Sequence, residues 1–294
     1  MTETEMTPSQ RLPALPLGGG FDLLAGVRVL DLTTSIAGPY CTLLLGDMGA
    51  EVVKIERPGQ GDDCRAWGPP FIDGESVWFQ SVNRNKQSVT LDYSQPAGLA
   101  ILHELVAKSD IVVTNAVPRV QEKLKADYDT CKAIRPDIVF VSISGFGLTG
   151  ARKDWPGYDL IAEGYSGVMD MTGEIENDPQ KVGTPAADLL TGMDGAYAAV
   201  AALFDRMRTG RGHKLDLSLV ESMTRFMTPI IAPHLATGDV PRRSGAKESV
   251  IAVYQVFHTA DDPLTLGLGN DNLFKRFCNA VGRPDMADSP DYAN

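Results

Sequence analysis

Paired chemistry-bearing residues are scarce in this chain. The four cysteines, Cys41, Cys64, Cys131 and Cys278, lie far apart with no Cys-x-x-Cys spacing. Neither a disulfide framework nor a zinc site is expected, and a reducing, cytoplasmic setting fits best. The four histidines, His103, His213, His234 and His258, are scattered singly, so no metal site is expected. No serine stands in a Gly-x-Ser-x-Gly elbow, and no apolar run is long enough to span a membrane. Basic residues are outnumbered, 27 Lys and Arg against 38 Asp and Glu, and the net charge of −11 argues against nucleic acid as the main partner. A local basic pocket for an anion stays open. Residues 1–21 are polar and rich in Pro and Gly, without the basic-then-apolar order of a targeting peptide, and read as a flexible arm.

Against these absences stands a chain of 294 residues, 43% hydrophobic, enough for one large domain with a smaller appendage. Strand and helix patterns alternate: strand 27–32, helix 40–48, strand 51–55, strand 88–91, helix 96–108, strand 111–113, a helix ending near Ile134, strand 138–143. A parallel sheet with both faces covered follows from that alternation. A helix through 158–162, a polar loop to Lys181, a long helix over 189–207, strand 214–219 and a helix bent near Pro229 and Pro233 complete the large domain. The fold class expected is α/β, a Rossmann-like parallel-sheet domain over 22–240. A linker at 241–248 joins it to a small α+β domain over 249–294, with a hairpin around Asp261-Asp262-Pro263 and a helix over 272–281.

Three features invite a chemical reading. Glu56 ends the second strand where a dinucleotide-binding fold holds a ribose, but the preceding turn, Thr34 to Tyr40, carries one glycine and a proline instead of Gly-x-Gly-x-x-Gly. Arg57 puts a cation at the carboxyl end of the sheet, where it could meet a phosphate or simply be solvated. Asp188 lies among small residues at the start of an Ala-rich helix. The local pattern favours a helix N-cap there, and a carboxylate nucleophile for an acyl group is the alternative.

Several stretches taken in order resemble the class III CoA-transferases, the CaiB/BaiF type that includes formyl-CoA transferase. They include Ala37-Gly38-Pro39, residues 49–59, Asn83-Arg84-Asn85-Lys86, residues 143–147, Pro156-Gly157-Tyr158-Asp159, the Asp188 run, residues 206–212 and Tyr254-Gln255-Val256-Phe257. The resemblance implies coenzyme A as substrate, with no permanently bound cofactor. It also implies a two-step exchange in which Asp188 attacks an acyl-CoA thioester, forms a mixed anhydride, then carries CoA as an aspartyl thioester until a free carboxylic acid takes it over. By position it implies CoA contacts from Ile36, Ala37, Arg57, Leu91, Asp92, Tyr93, Ser94, Asn115, Ala116, Val117 and Lys123, with Tyr158 and Asp159 flanking the acyl site. Lys123 stands where relatives place arginine, keeping the charge without the bidentate fork. Ile36 replaces a polar side chain and implies a greasier or bulkier acyl group rather than a small dicarboxylate.

The same family includes α-methylacyl-CoA racemases, which carry histidine where Tyr158 stands; tyrosine is a poor neutral-pH base, so transfer is preferred. Relatives continue past the point matching Asn294. The resemblance therefore implies an interlocked homodimer, or a partner chain supplying a C-terminal return segment, and leaves a truncated, non-catalytic acyl-CoA-binding subunit as the rival. The acyl donor and acceptor acid are not legible in the sequence.

Overall fold

A computed structural model of the chain describes residues 21–248 and 250–292. The arm expected over 1–21 falls, but for Phe21, outside them. In chain order the elements are β1 (Arg28–Leu32), α1 (Ala37–Asp47), β2 (Glu51–Glu56), β3 (Phe71–Ile72), β4 (Glu75–Ser76), α2 (Val77–Asn83), β5 (Lys86–Thr90), α3 (Pro96–Lys108) and β6 (Ile111–Thr114). Next come α4 (Pro118–Lys123), α5 (Tyr128–Ile134), β7 (Val139–Ser144), α6 (Asp159–Ser166), α7 (Val168–Met171), α8 (Ala186–Thr209) and β8 (His213–Ser218). The remainder is α9 (Leu219–Phe226), α10 (Thr228–Thr237), β9 (Tyr254–Phe257), β10 (Leu264–Gly267), α11 (Asp271–Ala280) and α12 (Pro284–Ala287).

Contacts divide the chain into two units. The first runs through Ser166 and resumes at Val182–Pro229; the second comprises Gly167–Lys181 and the chain from Ile230. This division differs from the expected boundary at 240: the chain from Ile230, most of α10, falls in the second unit, together with the stretch read as a polar loop before Lys181.

Six strands form the sheet of the first unit in the order β5-β2-β1-β6-β7-β8, and all pair in parallel. Counted along the chain that order is 3-2-1-4-5-6, the doubly wound arrangement, with its switch point between β1 and β6. Strands β6 and β7 are buried at every position, as central parallel strands covered on both faces must be. On one face Leu102 and Val106 of α3 and Cys131 of α5 pack against Leu30, Val53, Val112 and Phe140.

The opposite face is where α1 and α8 meet. A Cβ on Gly192 would lie 2.7 Å from the Ala37 carbonyl oxygen, and one on Gly195 would lie 3.0 Å from Cys41 Sγ. Only glycine admits that approach, which brings the second and third turns of α8 against α1. The far end of α8 closes on Gly210 in the left-handed region, φ 70°.

In the second unit β9 and β10 pair antiparallel, as expected, from Leu264 opposite Phe257 to Gly267 opposite Tyr254. The connection lacks Asp-Gly; Thr259 Oγ1 holds it instead, donating to the Asp262 carbonyl at 2.6 Å. Helix α11 is opened by Asn270, whose Oδ1 accepts from the Leu273 amide at 3.0 Å.

Candidate active site

Helix α8 starts at Ala186, three residues before the expected start, so Asp188 is its third residue and not its cap. Pro185 occupies the N-cap and offers no side-chain hydrogen bond. The capping carboxylate comes from elsewhere in the chain: Asp159, first residue of α6, accepts the Ala187 amide on Oδ1 at 2.8 Å. Asp188 is thereby released from local duty. Half-buried, its carboxylate makes no hydrogen bond or ion pair with any described residue and faces a cavity of about 220 Å³. Burial, and then the nearby Asp159 charge, push its pKa up to about 7.

The cavity lies at the carboxyl ends of β1, β6 and β7, the place where open α/β sheets take ligands. Thr34, Ser35 and Ala37 from the β1–α1 turn form one wall; Asn115 and Val117 follow β6, and residues 143–145 close β7. Asp63, Trp67, residues 156–158 and Leu219 complete it.

A buried charge network builds the first wall. Asp31, fully buried in β1, accepts from Thr33 Oγ1 at 2.5 Å, Thr42 Oγ1 at 2.7 Å and Lys86 Nζ at 3.1 Å. Those bonds and the Lys54 and Lys86 charges outweigh the opposing effect of burial and hold its pKa at about 2. Lys54 donates to the Thr33 carbonyl at 2.7 Å and pairs with Asp62 at 2.9 Å. Asp62 Oδ1 in turn accepts the amide of Ser35, which sits at φ 67°, a strained conformation fixed by its surroundings. Asn115 closes the turn with two bonds to Thr34, Nδ2 to the carbonyl at 2.7 Å and the Thr34 amide to Oδ1 at 3.1 Å.

Of the residues picked out from sequence, the structure brings Ala37, Asn115, Val117, Tyr158 and Asp188 into one cavity, with Asp159 bonded behind it. The rest stand off its walls. Ile36 is 3% exposed and packs with Cys64 and Val82, so it says nothing about the size of an acyl group. Arg57 is exposed and pairs with Asp63 at 2.5 Å. Leu91 and Tyr93 pack on the α3 side of the core, while Asp92 Oδ1 accepts the Ser94 hydroxyl at 2.6 Å. Ala116 gives its carbonyl to Gln121 at 2.7 Å, and Lys123 is exposed in the last turn of α4.

Glu56 does not offer itself to a ribose: its two oxygens are taken by Arg65 at 2.7 Å each, by Ser88 and by the Asp62 amide. Asp63 and Trp67 are wall residues the sequence left unmarked. Thr34, Ser35 and Ser144 carried one signal, their position at the carboxyl ends of the central strands. Among the described residues no three His, Cys, Asp or Glu side chains gather as a metal would require, and no helix is long and apolar enough to cross a membrane.

Comparison with known proteins bears on this geometry. Residues 24–294 match the family described as CoA-transferase family III. Succinyl-CoA:glutarate CoA-transferase of Mus musculus is 42% identical over 269 residues, 92% of this chain and 62% of that protein. Acetyl-CoA:oxalate CoA-transferase of Acetobacter aceti is 38% identical over 291 residues, covering 99% and 72%. The crystal structure of a CAIB/BAIF family protein from Brucella suis superposes with a TM-score of 0.82 at 37% identity, over 92% of this chain and 72% of that one. The chain thus spans about three fifths of the length of the mouse relative.

Proposed function

This chain belongs to CoA-transferase family III, and from that premise we propose that it moves CoA from an acyl-CoA thioester to a free carboxylic acid, with Asp188 as the covalent carrier. The observation that carries the reading is the unpartnered Asp188 carboxylate facing a cavity at the switch point of the sheet. A half-buried carboxylate with no hydrogen-bond partner among the described residues and with Asp159 beside it is a destabilised anion, and acylation discharges it.

The steps balance without loss of a group. An Asp188 oxygen attacks the thioester carbonyl, the C–S bond breaks, and CoA leaves as thiolate. The thiolate attacks the aspartyl carbon of the anhydride and the donor acid departs as carboxylate. The acceptor carboxylate then attacks the aspartyl thioester, forming a second anhydride and thiolate. The thiolate takes the acceptor's acyl carbon and frees Asp188. The exchange begins and ends on a thioester and is close to thermoneutral overall; each anhydride is a more activated, short-lived species that thiolate captures at once.

A cavity of about 220 Å³ suits the acyl group and thioester end and leaves the nucleotide outside it. Arg57, Leu91 to Ser94, Ala116 and Lys123, off the cavity walls, remain proposed contacts for that outer portion. Dicarboxylic acids are the proposed acids, supported by the glutarate and oxalate in the relatives' names. Transfer is favoured over racemisation because none of the four histidines lines the cavity.

Two wider proposals accompany this one. Met193, Tyr197 and Phe204, all exposed on α8, support a homodimer. Four free, buried cysteines support a reducing compartment, the cytoplasm. The test of the function is Asp188→Asn: exchange disappears while CoA binding is kept, and unchanged turnover would refute the role.

A further inference from the structure

The walls of the Asp188 cavity carry two carboxylates, Asp63 and Asp188, and no lysine, arginine or histidine. An acid with a second carboxylate must meet its counter-charge outside those walls, and it approaches a chain of net charge −11. Arg57 is paired with Asp63, and Arg65 is committed to Glu56. A third guanidinium, that of Arg152, has no anion of its own among the described residues and belongs to the loop that joins two wall residues of the cavity, Gly145 and Gly157.

Residues 146–156 form a loop pinched at its base, where a Cβ on Gly145 would lie 2.6 Å from the Gly157 Cα. Both base residues line the Asp188 cavity, so the loop rises directly from its rim. Bonds from the Gly147 amide to Ser144 Oγ and from the Leu148 amide to Asp216 Oδ1, each 3.0 Å, fix its first arm. Phe146 packs edge to face with two rings, 6.0 Å from Trp155 of the loop and 5.1 Å from Tyr165 of α6. Arg152 lies over two of these rings, its guanidinium carbon 5.3 Å from the Trp155 centroid and 5.1 Å from that of Tyr165. The side chain is exposed and has no hydrogen bond or ion pair among the described residues. Phe146, Thr149, Arg152 and Trp155 line a second cavity of about 520 Å³.

Stacking on ring faces holds a guanidinium in place while leaving its in-plane N–H groups unspent. Those groups form the fork that a carboxylate accepts in bidentate fashion. We propose that Arg152, oriented by Trp155 and Tyr165, is a specificity-determining residue that binds the remote carboxylate of a dicarboxylic acid whose near carboxylate reacts at Asp188. The inference rests on the CoA-transfer reading, and it adds the residue that separates dicarboxylic from monocarboxylic acids.

The test uses the full chain with glutarate and butyrate as probes. In exchange assays Arg152→Ala lowers the ratio of kcat/KM for glutarate over butyrate about tenfold, the size of a charge-assisted hydrogen bond at a half-open site. Arg152→Lys restores it in part, keeping charge without the fork. Calorimetric titration of glutarate into the protein, with no CoA ester present, loses its heat in Arg152→Ala; this readout stands even if the chain catalyses no exchange. An unchanged ratio, or glutarate binding that survives the substitution intact, overturns the proposal.

Discussion

Replacing Asp188 by asparagine removes a group that the fold itself resists. Its carboxyl has an ordinary pKa of 3.8 and stands at about 7 in the protein, raised by burial and then by Asp159. Between those values the folded chain keeps a proton that the unfolded chain has released, so stability falls as pH rises from about 4 to about 7. Above pH 7 the whole cost of the buried charge is present. At about 1.4 kcal/mol per pH unit the gap sets a ceiling of about 4 kcal/mol. Water in the open cavity screens the charge and leaves about 1–2 kcal/mol. Asparagine has the shape of the protonated acid and carries no charge. Asp188→Asn is therefore expected to melt about 2–6 °C above the parent protein at pH 8, and level with it at pH 4, while losing exchange activity altogether. Thermal unfolding of both proteins across that pH range gives the difference directly. A variant less stable than the parent at pH 8, or a difference that ignores pH, would refute the claim that the site holds a destabilised carboxylate.

Asp159→Asn keeps an oxygen for the Ala187 amide but removes the charge beside Asp188. The acidic limb of kcat/KM, expected near pH 7, moves to lower pH, and a limb that stays in place would separate Asp159 from the ionisation. At the acid end Asp31 and Glu56, both held at about 2, act in the opposite sense. Their contribution is complete above the ordinary carboxylate range and is lost as pH falls from about 4.5 toward 2; Glu56→Gln flattens that part of a denaturation profile, and an unaltered slope would contradict it.

Where pattern and local chemistry agree, the fold was legible from sequence. Helix α3 runs from Pro96 to Lys108 as its N-terminal proline announces, and the buried strands β1, β6 and β7 lie within a residue or so of their apolar runs. The start of α8 was misread because its cap comes from Asp159, a residue 28 positions away that no local pattern connects to Ala187. Ile36 is a CoA contact only by position in the family resemblance, which says nothing of where its side chain points. The turn at Ser35, held by Asp62 from another segment, sends the Ile36 side chain into the core. Asp63 and Trp67 lie in short elements fixed by tertiary partners, the Trp67 carbonyl accepting Ser76 Oγ at 2.6 Å, and segments of that kind have no periodicity to read.

Whether Asp188 carries the transferred group is answered by trapping. Incubating the full chain with an acyl-CoA, reducing with borohydride and mapping the peptides by mass should convert Asp188 to homoserine, the product of a reduced aspartyl thioester. Binding of the CoA ester with Asp188 recovered unmodified, or an adduct on any other residue, would contradict the account.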